Sequence, residues 1–289
     1  MKIRFIINPI AGIGSQQGIE KLIQEKVEFD FDVVYTNKAG DATALSKDAI
    51  DKQTDIVIAV GGDGTVNECA KALINSDTAL GVIPCGSGNG FAYHIGMKKK
   101  ISVAITQLNK CKISSIDSCS VNGTVFVNVA GIGFDAHIAN LFSKLKDRGF
   151  LNYIKLIVTE VFRYKAREYK LDFDGKTIST SAYLIAFANT SQYGNDFKIS
   201  PLAKENDGKI DFVIVKKFTK WKVPFFLLKI IIGRVHLSKY VEIIKTQEFQ
   251  IETDDTLVHL DGEPKTLRNP ITIKIEPQSL KIFSPDAKK

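Results

Sequence analysis

Apolar residues run almost unbroken through four short segments of the first half of the chain: 3–8 (IRFIIN), 31–36 (FDVVYT), 55–60 (DIVIAV) and 79–84 (ALGVIP). Mixed stretches of helical length follow each, which predicts helices near 15–27, 40–50 and 65–74, and helical pieces reaching about residue 109. Strands that are apolar at nearly every position are those covered on both faces, as in parallel sheets. Repeated strand–helix units imply right-handed crossovers and an open, doubly wound α/β sheet. Ligands of such sheets bind at the carboxyl ends of the strands.

The rhythm changes after about residue 118. Strand-like runs crowd together: TVFVNVA, YKLDFD, TISTSAYLIAFANT, KIDFVIVKKF, YVEIIK, EFQIET, TLVHLD, ITIKIE and LKIF. The alternation in ITIKIE (271–276) fits antiparallel strands with one wet face. Helical stretches interrupt near 136–166 and 219–232. The expected fold class is therefore α/β plus mostly β: an N-terminal doubly wound nucleotide-type domain over 1–117 and a C-terminal antiparallel β-sandwich over 118–289. A cleft between the two domains is the expected ligand site.

Composition is that of an ordinary globular protein, 44% hydrophobic and 25% charged. The N-terminus reads as a strand and a glycine turn rather than a signal peptide. No run approaches the roughly 18 apolar residues of a membrane span. The four cysteines lack metal-ligand spacing, so reduced thiols in a cytoplasmic protein are expected. The net charge of +7 is unevenly placed: residues 1–117 balance, and the whole excess lies in 118–289. Such asymmetry suggests that one half meets something anionic. No basic–aromatic groove motif is present, and no nucleic acid is expected as a partner.

Three glycine loops fall at strand ends: NPIAGIGSQQG (8–18), GGDGT (61–65) and PCGSGNG (84–90). Glycines let a ligand approach the backbone, and successive N–H groups near a helix start cradle phosphate. A carboxylate there, Asp63, makes sense with a metal ion or as acceptor from a substrate hydroxyl; capping a helix is the structural alternative. No Walker A motif occurs. The first loop has G-x-G-x-x-x-G spacing with Pro9 in the turn, and Asp32 starts the second strand instead of ending it, so a Rossmann dinucleotide site is not expected.

At these residues the chain resembles the diacylglycerol kinase catalytic-domain family, which includes bacterial soluble lipid kinases and sphingosine and ceramide kinases. The ordered set carries the resemblance: Asn8-Pro9-x-x-Gly12, Gly61-Gly62-Asp63-Gly64-Thr65-x-Asn67-Glu68, Pro84-x-Gly86-Ser87-Gly88-Asn89, Gly131-x-Gly133-Phe134-Asp135-Ala136, Pro201-x-Ala203 with Asp207-Gly208, and Asp261-Gly262-Glu263. The resemblance implies an ATP- and Mg²⁺-dependent lipid kinase. It implies ATP-binding positions at Asn8, Pro9, Ile10, Ala11, Gly12, Thr36, Gly61, Gly62, Asp63, Gly64, Thr65, Val66, Asn67 and Ser87. Glu263 matches the general base and Asp63 the acidic partner at the phosphates. On spacing alone, without the resemblance, Asp261-Gly-Glu263 reads first as an ordinary hairpin turn.

Two positions depart from the family pattern. Gly90 and Asn206 stand where bacterial members carry carboxylates of a structural Mg²⁺ site. Of that site the chain keeps Asp207 and the backbone positions of Lys204 and Lys209. The Gly-Ser-Gly-Asn loop is closer to the sphingosine-kinase branch, which leaves the acceptor lipid open. Residues 216–239 hold seven Lys/Arg and no acid around an apolar helix. Such a helix suits peripheral contact with a membrane surface; packing on the sandwich is the alternative. A homodimer stays open. The competing function is an NAD kinase-like nucleotide kinase, since GGDGT is shared with NAD kinases. A non-catalytic binder is a third reading, opposed by Asp63 and Glu263.

Overall fold

The computed structural model describes residues 1–12, 18–145 and 149–285. The chain forms two compact units: residues 1–118 with the segment from Pro277, and Cys119–Glu276.

In the first unit, β1 (Ile3–Ile7), β2 (Phe31–Tyr35), β3 (Ile56–Gly61) and β4 (Ala79–Pro84) pair in parallel in the order β2-β1-β3-β4. Register runs Ile3↔Ile56 to Ile7↔Val60 and Ile56↔Ala79 to Gly61↔Pro84. Every residue of β1, β3 and β4 is buried, as the unbroken apolar runs require. Helices α1 (Ile19–Lys26), α2 (Asp41–Asp51), α3 (Asp63–Leu73), α4 (Gly90–His94) and α5 (Ile101–Leu108) connect and cover the strands, with α1 packed on α5 and α2 on α3. Helix α3 begins two residues before the sequence reading places it. The first part of the helix expected near 15–27 lies outside the described residues.

A buried arginine with two half-exposed carboxylate partners fixes the edge of this sheet. Arg4, inside the sheet with its side chain 7% exposed, bonds Asp32 at 2.7 Å, while its contact to Asp48 ties β1 to α2. A buried guanidinium is tolerated only when such partners satisfy it.

In the second unit, β5 (Lys112–Val121) brings the chain across and forms a hairpin with β6 (Thr124–Phe126). Then follow β7 (Val129–Gly133), α6 (Phe134–Ser143), α7 (Phe150–Glu160), β8 (Arg167–Phe173), β9 (Lys176–Ala188), β10 (Ile210–Lys216), α8 (Val223–Ile231), β11 (Val241–Thr246), β12 (Glu248–Glu252), β13 (Leu257–Leu260), β14 (Glu263–Thr266) and β15 (Ile271–Ser284). The expected strand TVFVNVA is broken at Val127 and Asn128, and the expected helix 136–166 is two helices. A one-turn 3₁₀ helix, Lys220–Lys222, precedes α8. The runs ITIKIE and LKIF are one strand, β15. Its first residues pair with β12 in the second unit. From Pro277 it belongs to the first unit, where Ile282 and Phe283 pair with Leu80 and Gly81.

The unit is an antiparallel β-sandwich with two apolar layers. The long strand β9 pairs with β8 through its first half, and with β7 and β10 through its second. Alternate residues enter opposite cores. Ile185, Phe187, Phe212 and Ile214 pack inside the sandwich with Phe249, whose ring stacks on Phe212 at 4.0 Å. Leu184, Ala186, Val213 and Val215 face the other way, against Ile138, Ile157, Phe226 and Ile230 of α6, α7 and α8. This is why β10 is buried at six successive positions, whereas β12 alternates. The described cysteines are all free thiols; burial pushes Cys69 and Cys85 up to about 12.

Candidate active site

The three glycine loops of the first unit meet at the carboxyl ends of β1, β3 and β4. Their contact depends on missing side chains. A Cβ on Gly86 would lie 2.5 Å from Cα of Gly62, and one on Gly12 would lie 2.2 Å from the carbonyl oxygen of Cys85. Gly12 also has φ +91°, which favours glycine. Backbone bonds join the same segments: Asn8 N–H donates to Val60 at 3.0 Å, and Cys85 N–H to Gly61 at 2.8 Å. The Asn8 side chain donates to Thr65 Oγ1 at 3.0 Å.

Asp63 opens α3. Its Oδ2 accepts the N–H of Asn89 at 2.8 Å, so the second loop holds the carboxylate through the third. Asn89 sits in the left-handed region (φ +55°), and its Oδ1 accepts Gly86 N–H at 2.8 Å. The first intrahelical bond of α3 runs from Val66 N–H to Gly62 at 3.1 Å. Earlier N–H groups, including that of exposed Gly64, therefore point out of the helix start, where partial positive charge favours phosphate.

Other expected nucleotide positions divide by exposure. Ile10 and Ser87 are exposed on the loops; Thr36, beside Ile7, is buried. Val66 turns its side chain into the core, so only its backbone belongs to the loop, and Asn67 is likewise buried. Glu68 serves α2: its carboxylate accepts Gly40 N–H at 3.0 Å and Ala42 N–H at 3.2 Å, an acid placed at a helix start.

In the second unit Asp261 and Gly262 join β13 to β14 with φ +51° and +89°, the two-residue hairpin that Asp-Gly favours. Asp261 anchors it: its carboxylate accepts Val127 N–H at 3.0 Å and Asn128 N–H at 2.9 Å. Glu263 follows, exposed, as the first residue of β14.

Behind this hairpin lies a group to which the sequence reading assigned no role. His259 Nδ1 accepts the N–H of Gly262 at 3.3 Å, so Nε2 carries the proton, and it reaches Asp135 Oδ2 at 3.2 Å. Tyr193 OH donates to the same oxygen at 3.1 Å. Asp135 and His259 are both buried. A Cβ on Gly131 would lie 2.1 Å from Asp135 Oδ2, which explains the first glycine of Gly131-x-Gly133-Phe134-Asp135. The signal for His259 is its place on β13, a polar position facing away from the core that takes Val258 and Leu260.

Asp135 also lines a cavity of about 80 Å³. Its walls are apolar and come from α6, α7, β9, β10 and α8, with Phe134, Ile157, Leu184, Phe226 and Ile230 among them. Burial, reinforced by the Asp135 charge, raises the tyrosines Tyr153 and Tyr193, which stay neutral. His137, one residue from the motif end, points elsewhere and pairs with Glu160 at 3.0 Å.

Of the expected metal set, Asp207 is engaged by groups of the protein itself. Asp207 accepts Lys209 N–H at 3.1 Å, and its other oxygen faces the Lys245 ammonium at 3.6 Å, a cation already in place. Lys245 also pairs with Asp211 at 2.9 Å. No cluster of three His, Cys, Asp or Glu side chains suited to a metal occurs among the described residues.

The chain thus joins a phosphate-type loop cluster on an α/β unit to a sandwich carrying an apolar cavity. The diacylglycerol kinase catalytic domain family matches residues 2–121, and the YegS C-terminal NAD kinase beta sandwich-like domain matches residues 128–284. The chain belongs to the diacylglycerol kinase catalytic domain family. It is 29% identical to a diacylglycerol kinase of Bacillus subtilis (strain 168), covering 91% of this chain and 89% of that one. It is 30% identical to a Chromohalobacter salexigens protein named as a YegS-like lipid kinase, over 79% of this chain and 76% of that one. A crystal structure of a candidate diacylglycerol kinase from Bacillus anthracis str. Sterne superposes with a TM-score of 0.80 at 26% identity, covering 99% of this chain and 97% of that one.

Proposed function

We propose that this protein transfers the γ-phosphoryl group of ATP to the hydroxyl of a membrane lipid, a diacylglycerol, a sphingoid base or a related lipid, from the cytoplasmic side as a peripheral enzyme. The observation that carries the reading is His259: one ring joins the carboxylate of an apolar cavity to the backbone of the Asp-Gly-Glu hairpin. An acceptor with an apolar body and a polar end suits that cavity, with Asp135 available to its hydroxyl. The cavity is narrow for a full acyl chain, so α7 or α8 would part to admit one.

Asn8, Gly12, Gly61 to Thr65 and Ser87 would hold the nucleotide, their backbone N–H groups and close-packed glycines shaping a phosphate cradle. Asp63 would offer an oxygen donor to Mg²⁺ accompanying ATP, which when bound would neutralise phosphate charge. Glu263 takes the proton of the lipid hydroxyl as the new oxygen–phosphorus bond forms and the bond to the β-phosphate oxygen breaks, releasing ADP. Asp261 and His259 hold the hairpin so that Glu263 is placed by rigid backbone.

The test is incubation of the purified protein with Mg²⁺, labelled ATP and mixed micelles of diacylglycerol, sphingoid base, ceramide or monoacylglycerol, with NAD as a separate acceptor. Label in one organic-extractable product is expected. Label confined to a water-soluble product from NAD would replace the reading with the NAD kinase-like one. Absence of product from folded, ATP-binding protein would reject these acceptors.

A further inference from the structure

Helix α8 is apolar on both sides. Val223, Phe226 and Ile230 turn inward and close the apolar cavity. The opposite side carries a second stripe, Trp221, Phe225, Leu228 and Ile232, at the i, i+4, i+7, i+11 spacing of one helix face. These side chains are 82%, 70%, 53% and 53% exposed. The stripe continues to the end of α7, because Lys220 in the 3₁₀ turn donates to the carbonyl of Phe162, itself half exposed. A helix apolar all round is normally covered, and a contiguous exposed apolar patch marks a contact surface.

The charge around the stripe selects the occupant. Residues 216–239 hold seven Lys/Arg and no acid. Lys217, Lys222, Arg234 and Lys239 are exposed. A second copy of the chain would bring two such sets together, which like-charge repulsion opposes. An anionic bilayer meets both features: its headgroups take the ammonium and guanidinium groups, and its acyl boundary takes the stripe, with Trp221 at headgroup depth. At nine residues α8 is far too short to span, so the geometry is that of a helix lying in the interface.

We propose that the outer face of α8 and the turn before it is the surface by which this protein docks on anionic phospholipid bilayers, with the helix lying between the bilayer and the apolar cavity. The inference rests on the lipid-kinase reading for its purpose, since it would bring the cavity to the membrane that supplies the acceptor.

Trp221 is the sole tryptophan of the chain, so its fluorescence reports this surface directly. Full-length protein is titrated with phosphatidylglycerol–phosphatidylcholine vesicles, with and without brominated acyl chains, and in parallel with pure phosphatidylcholine. Expected are a blue shift, quenching by the bromolipid, and partitioning that weakens with salt and on neutral vesicles. F225S/L228S, which leaves the cavity-lining residues in place, should partition at least about tenfold more weakly, given the apolar area removed from the contact. It should also keep wild-type turnover of a dispersed short-chain diacylglycerol. Trp221 emission unchanged by anionic vesicles, or unquenched while the protein sediments with them, would overturn the proposal. A blue shift that depends on protein concentration without lipid would overturn it in favour of a second copy. Failure of the kinase reading shows differently, as absence of lipid product with docking intact.

Discussion

Substituting Gly64 by Ala separates what the fold wants from what the nucleotide wants. Gly64 lies in the first turn of α3, exposed, and a Cβ added there meets no other heavy atom within 4 Å. Its φ is not in the left-handed region, so alanine is unstrained. Alanine is the better helix former and restricts the unfolded chain, which together stabilise by about 0.5–1 kcal/mol. Unfolding of the nucleotide-free protein should therefore move up by about 1–2 °C. The same methyl would stand over the N–H groups that are to face phosphate. Loss of one charge-assisted hydrogen bond there, worth about 1.5–3 kcal/mol, raises the Kd for Mg·ATP by about 10- to 100-fold.

Gly86→Ala is the counterpart. Its Cβ would sit 2.5 Å from Cα of Gly62, so backbone must move, at a cost of about 1–3 kcal/mol to the nucleotide-free fold. Thermal unfolding without ligand and calorimetric titration with Mg·ATP read both variants. The expected pattern is opposite signs in stability with the same loss of binding. ATP bound to Gly64→Ala with wild-type affinity would refute the cradle, because nothing else in the structure opposes that methyl.

Asp63→Asn and Glu263→Gln should each abolish phosphoryl transfer while circular dichroism and melting stay near wild type; near-wild-type turnover by either refutes its role. His259→Phe keeps the ring volume but removes the link between Asp135 and Gly262, so kcat should fall at least about tenfold with the KM for ATP unchanged, an effect of about 1.4 kcal/mol. An equal loss in ATP affinity would make His259 merely structural. Hydrogen bonds from Lys52 first, and then from Arg4, hold the Asp48 carboxyl below its ordinary range. A depressed carboxylate contributes stability that is fully present above its unfolded pKa of about 3.9 and is lost as pH falls through its lower folded value. Arg4→Met should flatten part of that acid limb in urea midpoints between pH 5 and about 2.5, and an unchanged limb would assign the dependence to other carboxylates.

The architecture was legible because two periodicities differ physically. Strands buried on both faces have few polar positions: β3 and β4 show none and β1 only Arg4, so the parallel sheet was visible in Ile56–Val60 and Ala79–Ile83 alone. The same rule hid part of the second unit. The apolar run of β10 looks like a parallel strand, but its partners are antiparallel and its second apolar face is covered by α7 and α8. What local pattern could not show was long-range: β15 leaves the sandwich at Pro277 to join β4, and a strand's partner is not written in its own residues. The meeting of the glycine loops was legible because glycine has few other reasons to cluster at strand ends. His259 and Asp135 were not, because their meaning lies in a contact across 124 residues.

In the Asp-Gly-Glu segment the hairpin and the proposed acidic reaction site are not competing descriptions. The turn has the backbone that Asp-Gly prefers, so its local chemistry alone accounts for the sequence. Yet an ordinary exposed hairpin does not need its first residue to accept two backbone N–H groups 133 and 134 residues away, nor a buried histidine beneath its second residue. Ordering these groups costs conformational entropy that a surface turn would avoid. The outcome of that ordering is specific. Asp261 spends its charge on Val127 and Asn128, His259 accepts from Gly262, and Glu263 is left as the turn's exposed carboxylate beside this anchored backbone. A general base gains from such rigidity, because proton transfer falls off steeply with misplacement. The anchoring, more than the motif, is the physical reason for proposing Glu263 as the base.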